Sequence, residues 1–212
     1  MEKRGFGMGL SDNIGGQLIK AVELSGSLLE GHFKLSSGLH SNFYLQCSRI
    51  FLDPALAHSL LLCAVDLIYK NCPQDSFSLV VSPALGGVLV GYELARVLRL
   101  KSVFFERVNK NFVLRRGFEV QKQQGVIIAE DVISTGKSVV EIISELNKFK
   151  AEVKAIFCIV NRSGKDFLSF DGQDFPIISL GCLKAEFYEE DALPAYLQKL
   201  PISVPGSRFL NQ

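Results

Sequence analysis

Short β-branched runs recur along this chain, and stretches with helical periodicity separate them. Ser78–Ser82 (SLVVS), Ser102–Phe105 (SVFF), Val126–Ala129 (VIIA), Val153–Val160 and Pro176–Leu180 read as buried strands. The run GGVLVGYELARVL, opened by Gly86 and Gly87, and Ser138–Phe149 read as helices. Asp53–Pro54 offers an N-cap and an N1 proline to a further helix, PALAHSLLLCAVDLIYKN. Strands alternating with helices predict an α/β fold: a central, mostly parallel sheet flanked by helices, with right-handed crossovers. Ahead of it, Ser11–Ser25 reads as an amphipathic helix through Ile14, Leu18, Ile19 and Val22. The segment FKLSSGLHSNFYLQCSRIFLDP reads as a hairpin or loop, then a short strand near Phe43–Leu45. Phe112–Val120 reads as a hairpin around Arg115–Gly117. The expectation is one domain over residues 1–212, with about the first 45 residues forming a hood.

Composition excludes several classes. Of 212 residues, 48% are hydrophobic and 21% charged, unlike disordered, collagenous or coiled-coil chains. Lys and Arg total 23 against 22 Asp and Glu, a net charge of +1. A protein that grips nucleic acid over its whole surface is more basic, so none is expected as a partner. Anion binding must come from local clusters. The five cysteines are odd in number and show no C-x-x-C spacing. Cys63 and Cys158 sit in apolar runs, which favours a reduced, cytoplasmic protein. The start lacks an apolar run of signal-peptide length, and no stretch reaches the roughly 18 apolar residues of a membrane helix.

The chemistry concentrates in Gly125–Val140, GVIIAEDVISTGKSVV. An apolar strand ends at two acids, Glu130 and Asp131; then comes a small hydroxyl- and glycine-rich loop, then a helix. Ligands of open α/β sheets bind beyond the carboxyl ends of strands, and a helix start presents free N–H groups to a phosphate. Carboxylates beside a phosphate cradle suit a ligand that also carries sugar hydroxyls, and they also help hold Mg²⁺. A Walker A loop is excluded, because position 131 would have to be Gly. A dinucleotide fingerprint is absent, since Gly86, Gly87 and Gly91 have the wrong spacing. One acid in such a loop is ordinary; the acid pair with this strand and loop is a site.

VIIAEDVISTGKS resembles the phosphoribosyl diphosphate (PRPP) signature of type I phosphoribosyltransferases. FKLSSGLHSNFYLQC is similar to the N-terminal substrate segment of orotate phosphoribosyltransferases, and VSPALGGVLVGYELARVL to their central strand and helix. FFERVNKNFVLRRGF resembles the loop region of one bacterial branch, and IVNRSG the strand that ends in an orotate-contacting Arg. The resemblance runs in order from about Gly31 to Gly164. It implies transfer of ribose 5-phosphate from PRPP to N1 of orotate, with Mg²⁺ on the pyrophosphate, in a homodimer.

The same resemblance implies roles. Glu130 and Asp131 hold the ribose hydroxyls and, with Arg107, act in catalysis. Val132, Ile133, Ser134, Thr135, Gly136, Lys137 and Ser138 complete the PRPP segment, with Ser134 standing where Thr is usual. Arg162 and Ser134 contact orotate, with Lys34, Phe43 and Tyr44 as hood candidates; His40 touches substrate through its segment. Between Arg96 and Lys122 eight bases face two acids, 8 − 2 = +6. Of these, Arg107, Lys110, Arg115 and Arg116 are assigned to a mobile loop gripping pyrophosphate, while Arg96, Arg99 and Lys101 read as a solvated face. Two departures stand out: Ser36 where many members have Lys, and Leu85–Gly86 where many have Tyr-Lys. Purine-base transfer and a PRPP-fold transcriptional regulator are the competing readings. The former needs no guanidinium aimed at a carboxylate, so Arg162 favours orotate.

Overall fold

The computed structural model describes residues 8–9, 14–35, 38–183 and 187–205. Its elements are β1 (Met8–Gly9), α1 (Ile14–Ser25), β2 (Leu28–Lys34), β3 (His40–Leu45), α2 (Pro54–Asn71), β4 (Leu79–Pro83), α3 (Gly86–Leu98), β5 (Lys101–Val108), β6 (Asn111–Leu114), β7 (Gly125–Ile133), α4 (Lys137–Phe149), β8 (Glu152–Asn161), β9 (Phe167–Phe170), β10 (Gln173–Leu183), α5 (Ala195–Gln198) and β11 (Ile202–Ser203). The main sheet runs β1-β10-β8-β7-β4-β5-β6, with β9 beside β10. Strands β10, β8, β7, β4 and β5 pair in parallel, and the three short strands are antiparallel additions. The strand order reverses between β4 and β7. Helices leaving those strands diverge to opposite faces there, opening a crevice at the strands' carboxyl ends.

Each face of the sheet has its own core. Val80, Ile127, Ala129, Phe157 and Ile159 face α1, α2 and α3, with Leu60, Leu61 and Leu94 packed on them. Leu79, Val81, Val126, Ile128 and Ile156 point the other way, onto Val139, Ile142, Ile143 and Leu146 of α4. The alternation is the period-2 geometry of strands covered on both sides. The predicted cap at α2 is present: Asp53 accepts hydrogen bonds from the N–H groups of Ala55 and Leu56. Among the described residues no helix is long and apolar enough to cross a membrane.

Three expectations need correction. β7 does not stop at Ala129 but continues through both acids to Ile133, because Glu130, Val132 and Ile133 keep their register with β8. The hairpin of this region turns at Asn109–Lys110, not at Arg115–Gly117: β5 and β6 pair from Val108↔Asn111, and both turn residues have positive φ, 50° and 71°. That is the type I′ requirement for a two-residue hairpin. The hood, finally, is not built by the N-terminal residues alone. β2 and β3 form an antiparallel pair, but β11 supplies the third strand, parallel to β2. β1 joins the edge of the main sheet instead, on β10. Ser11–Asn13 of the expected first helix and Ser36 lie outside the described residues.

Candidate active site

The crevice between β4 and β7 is lined on one side by the acid pair and on the other by the start of α3. A Cβ on Gly86 would sit 3.0 Å from Asp131 Oδ2, and one on Gly87 would sit 2.7 Å from Ala129 O and 3.2 Å from Glu130 Oε1. Only glycine allows this approach. The sequence marked these glycines as a helix start; their contact with the acids needed the fold. Glu130 is buried, and its Oε1 accepts from the Asp131 N–H at 3.1 Å; Asp131 Oδ1 accepts from the Val132 N–H at 2.7 Å. Burial and then the adjoining Asp131 carboxylate push Glu130 well above the usual carboxylate range, while Arg107 opposes the rise. Burial lifts Asp131 too. Two carboxylates held this way favour a partner that brings hydroxyl donors or a cation.

Ser134–Gly136 link β7 to α4. Gly136 is left-handed at φ 74°, and a Cβ there would meet Leu168 Cδ1 at 2.5 Å. Gly136 has no side chain to cap the helix, and the Lys137 N–H makes a long 3.4 Å contact with Thr135 Oγ1. The first turn of this 13-residue helix therefore presents open N–H groups beside the exposed Ser134 and Thr135.

Arg162 follows β8 at the same end of the sheet. Its backbone N–H donates to Ile133 O at 2.7 Å, so the Arg is tied to the strand that carries the acids. Its Nε and Nη2 are buried and have no partner, and burial lowers the guanidinium's pKa. Tyr44 reaches this place from β3. Burial and the nearby Asp131 raise its phenol pKa, and Arg162 opposes that rise. Three residues near Arg162 carried no sequence signal. Asn161 is buried; its Oδ1 accepts from Ser163 N and Oγ at 2.9 and 2.7 Å, and its Nδ2 donates to Lys165 O at 2.8 Å. The buried Cys47 thiol, whose pKa burial and then Asp131 raise, lies nearby. The Phe187 ring lies under the guanidinium.

Other candidates are placed differently. Phe43 is buried in the core with Leu18 and Leu45, because β3 alternates; it faces away from Tyr44's side and does not line the site. Lys34 is paired with Glu190 Oε2 at 2.9 Å. His40 is wholly buried and hydrogen-bonded to His32 at 2.6 Å, so its ring does not reach a substrate. The four loop cations divide across β5 and its turn. Arg107 lies on the strand, not in a loop, with Nη2 on Glu141 of α4 and Nη1 donating to Lys110 O at 2.8 Å. Lys110 occupies the turn. Arg115 and Arg116 both pair with Glu106, whose side chain leaves the strand opposite to that of Arg107. Arg96, read as solvated, instead clasps Glu93 with Nε at 2.8 Å and Nη2 at 2.6 Å.

Residues 59–173, which span β4 through the acid pair to Arg162, match the model of the phosphoribosyl transferase domain. The chain is 41% identical to an orotate phosphoribosyltransferase from Chlorobium phaeobacteroides, covering 92% of this chain and 96% of that protein. It is 40% identical to an orotate phosphoribosyltransferase from Maricaulis maris, with 92% and 97% covered. The crystal structure of orotate phosphoribosyltransferase from Aeropyrum pernix superposes with a TM-score of 0.63 at 25% identity, over 79% of this chain and 94% of that one. The match spans the switch-point crevice and nearly the full length of its relatives, so the chain belongs to the phosphoribosyl transferase family.

Proposed function

We propose that this chain is an orotate phosphoribosyltransferase: it joins the ribose 5-phosphate of PRPP to N1 of orotate, giving orotidine 5′-phosphate and pyrophosphate in pyrimidine nucleotide synthesis. The observation that carries the acceptor is the unpaired fork of Arg162. A buried guanidinium with two open donors is costly until an anion meets it. The Nε–Nη2 edge matches a carboxylate with two parallel hydrogen bonds. Orotate has that carboxylate, whereas adenine and hypoxanthine do not. The full-length relatives at 40–41% identity carry the same activity in their names.

Glu130 and Asp131 accept hydrogen bonds from the ribose hydroxyls, and Val132–Ser138 hold the 5′-phosphate at the start of α4. As the bond from C1 to pyrophosphate breaks and the bond to N1 forms, positive charge builds on the ribose ring. The two carboxylates stabilise it. Orotate attacks as an anion, so no general base is required. Arg107, within electrostatic reach of Glu130, lies at the pyrophosphate side, with Lys110 beside it. Among the described residues no group of three His, Cys, Asp or Glu could hold a metal. Mg²⁺ is therefore assigned to arrive on the pyrophosphate of PRPP, next to Asp131, where it neutralises charge on the leaving group.

A homodimer is part of this reading. Leu85, Leu89 and Tyr92 are 75%, 48% and 64% exposed and share one face at the start of α3, beside the site. Such an apolar stripe suits burial against a second copy. Five free thiols fit a reducing, cytoplasmic setting. The acceptor assignment is tested by equilibrium binding of orotidine 5′-phosphate and uridine 5′-phosphate, which differ by the carboxylate. Tighter binding of the former, lost in Arg162→Met, supports it; equal binding of both contradicts it.

A further inference from the structure

Phe187 keeps 40% of its surface exposed, and Arg162 Cζ lies 5.0 Å from its ring centroid. The segment that carries it is fixed to the hood. His40 N donates to Tyr188 O at 2.8 Å and Tyr188 N to His40 O at 3.0 Å. Lys34 and Glu190 form an ion pair across the same two segments, and β11 then pairs with β2. The main chain of Arg162 is equally fixed, by Ile133 O on one side and by the Asn161 side chain on the other. What remains free is rotation of the guanidinium plane. A guanidinium stacks on an aromatic face through cation–π attraction, and a planar fork fixed in advance loses less freedom when it meets a carboxylate.

We infer that Phe187 is a positioning residue for the acceptor: its ring holds the plane of Arg162 so that the open Nε–Nη2 edge faces the acceptor's carboxylate. This rests on the orotate reading. It assigns to the segment after β10 a share in acceptor selection, so the hood strands do not close the acceptor side alone.

The test compares wild type, Phe187→Leu and Phe187→Tyr in steady-state turnover of orotate, with melting temperatures measured in parallel. Leu keeps apolar bulk without a π face; Tyr keeps the face. The expected result is a rise of about fivefold to tenfold in the KM for orotate in Phe187→Leu, in line with a partly exposed cation–π contact. The KM for PRPP and the melting temperature stay near wild type, and Phe187→Tyr restores the orotate KM. Equal changes in both KM values, no change in either, or a Tyr variant as poor as the Leu variant would overturn the assignment. Wild type inactive on orotate would overturn the acceptor reading itself, and this assignment with it.

Discussion

Gly86 lies so close to Asp131 that a Cβ on it would meet Oδ2 at 3.0 Å, whereas a Cβ on the next residue, Gly87, would meet the backbone oxygen of Ala129 at 2.7 Å. The two neighbours differ in what can yield. A carboxylate can swing by a few tenths of an ångström, but a central strand cannot. Gly86→Ala should therefore lower kcat/KM for PRPP by about tenfold or more through a displaced Asp131, since small misplacements at a reacting centre are expensive. Its melting temperature should not fall, because Ala is the better helix former. Gly87→Ala should instead lose about 1–3 kcal/mol of stability by overpacking. Thermal unfolding and PRPP kinetics on the two variants separate these outcomes.

Glu130 exchanges stability for function. Its folded pKa is raised by burial and by Asp131. A carboxyl group raised above its unfolded value favours the folded state most below the unfolded pKa, and that advantage is lost as pH rises through the folded value. Glu130→Gln, which cannot ionise, should thus melt higher than wild type at pH 8, by about 2–4 °C for each kcal/mol relieved. The difference should vanish below about pH 4, where both side chains are neutral. The variant should also lose turnover and most of its stabilisation by PRPP. Melting curves from pH 4 to 8, with and without PRPP and Mg²⁺, check both signs.

How much of this was legible in the sequence depends on the range of the interaction. The strand–turn–helix unit from Gly125 to Phe149 is local, and its apolar run, acids and Gly136 identify it without a fold. The Asp53 cap is local too. The turn at Asn109–Lys110 was missed because neither residue is Gly, although Asn tolerates positive φ. Which of Phe43 and Tyr44 faces the site is undecided by alternation alone, as period 2 separates the faces without naming them. The contacts of Lys34 with Glu190, of β2 with β11 and of Arg162 with Phe187 join distant parts of the chain and leave no spacing pattern to read.

The hood should be acid-labile. His32 and His40 share one hydrogen bond, and the outer ring nitrogens of both are buried without partners. Burial first, then His32 and Lys34, lower the His40 pKa from 6.5, with Glu190 opposing. A histidine lowered in the folded state contributes stability above its unfolded pKa, and this is lost as pH falls through the folded value. Wild type should therefore lose melting temperature as pH drops below about 6.5, more steeply than a His32→Phe, His40→Phe double variant. Parallel slopes would refute the assignment.

Arg162→Met should raise the KM for orotate strongly, with kcat/KM falling by about 2–5 kcal/mol, the cost of leaving a desolvated carboxylate unpaired. The unliganded protein should be no less stable, because the lost group is a buried cation without a partner. A large drop in melting temperature with unchanged orotate kinetics would make Arg162 a structural residue.

The most direct measurement is the loss of orotate absorbance when PRPP and Mg²⁺ are added to the purified chain, with adenine, hypoxanthine and uracil assayed in parallel. The account predicts that orotate alone is consumed and that Asp131→Asn abolishes the reaction. Consumption of a purine base, or of no base at all, would contradict it while leaving the family membership intact.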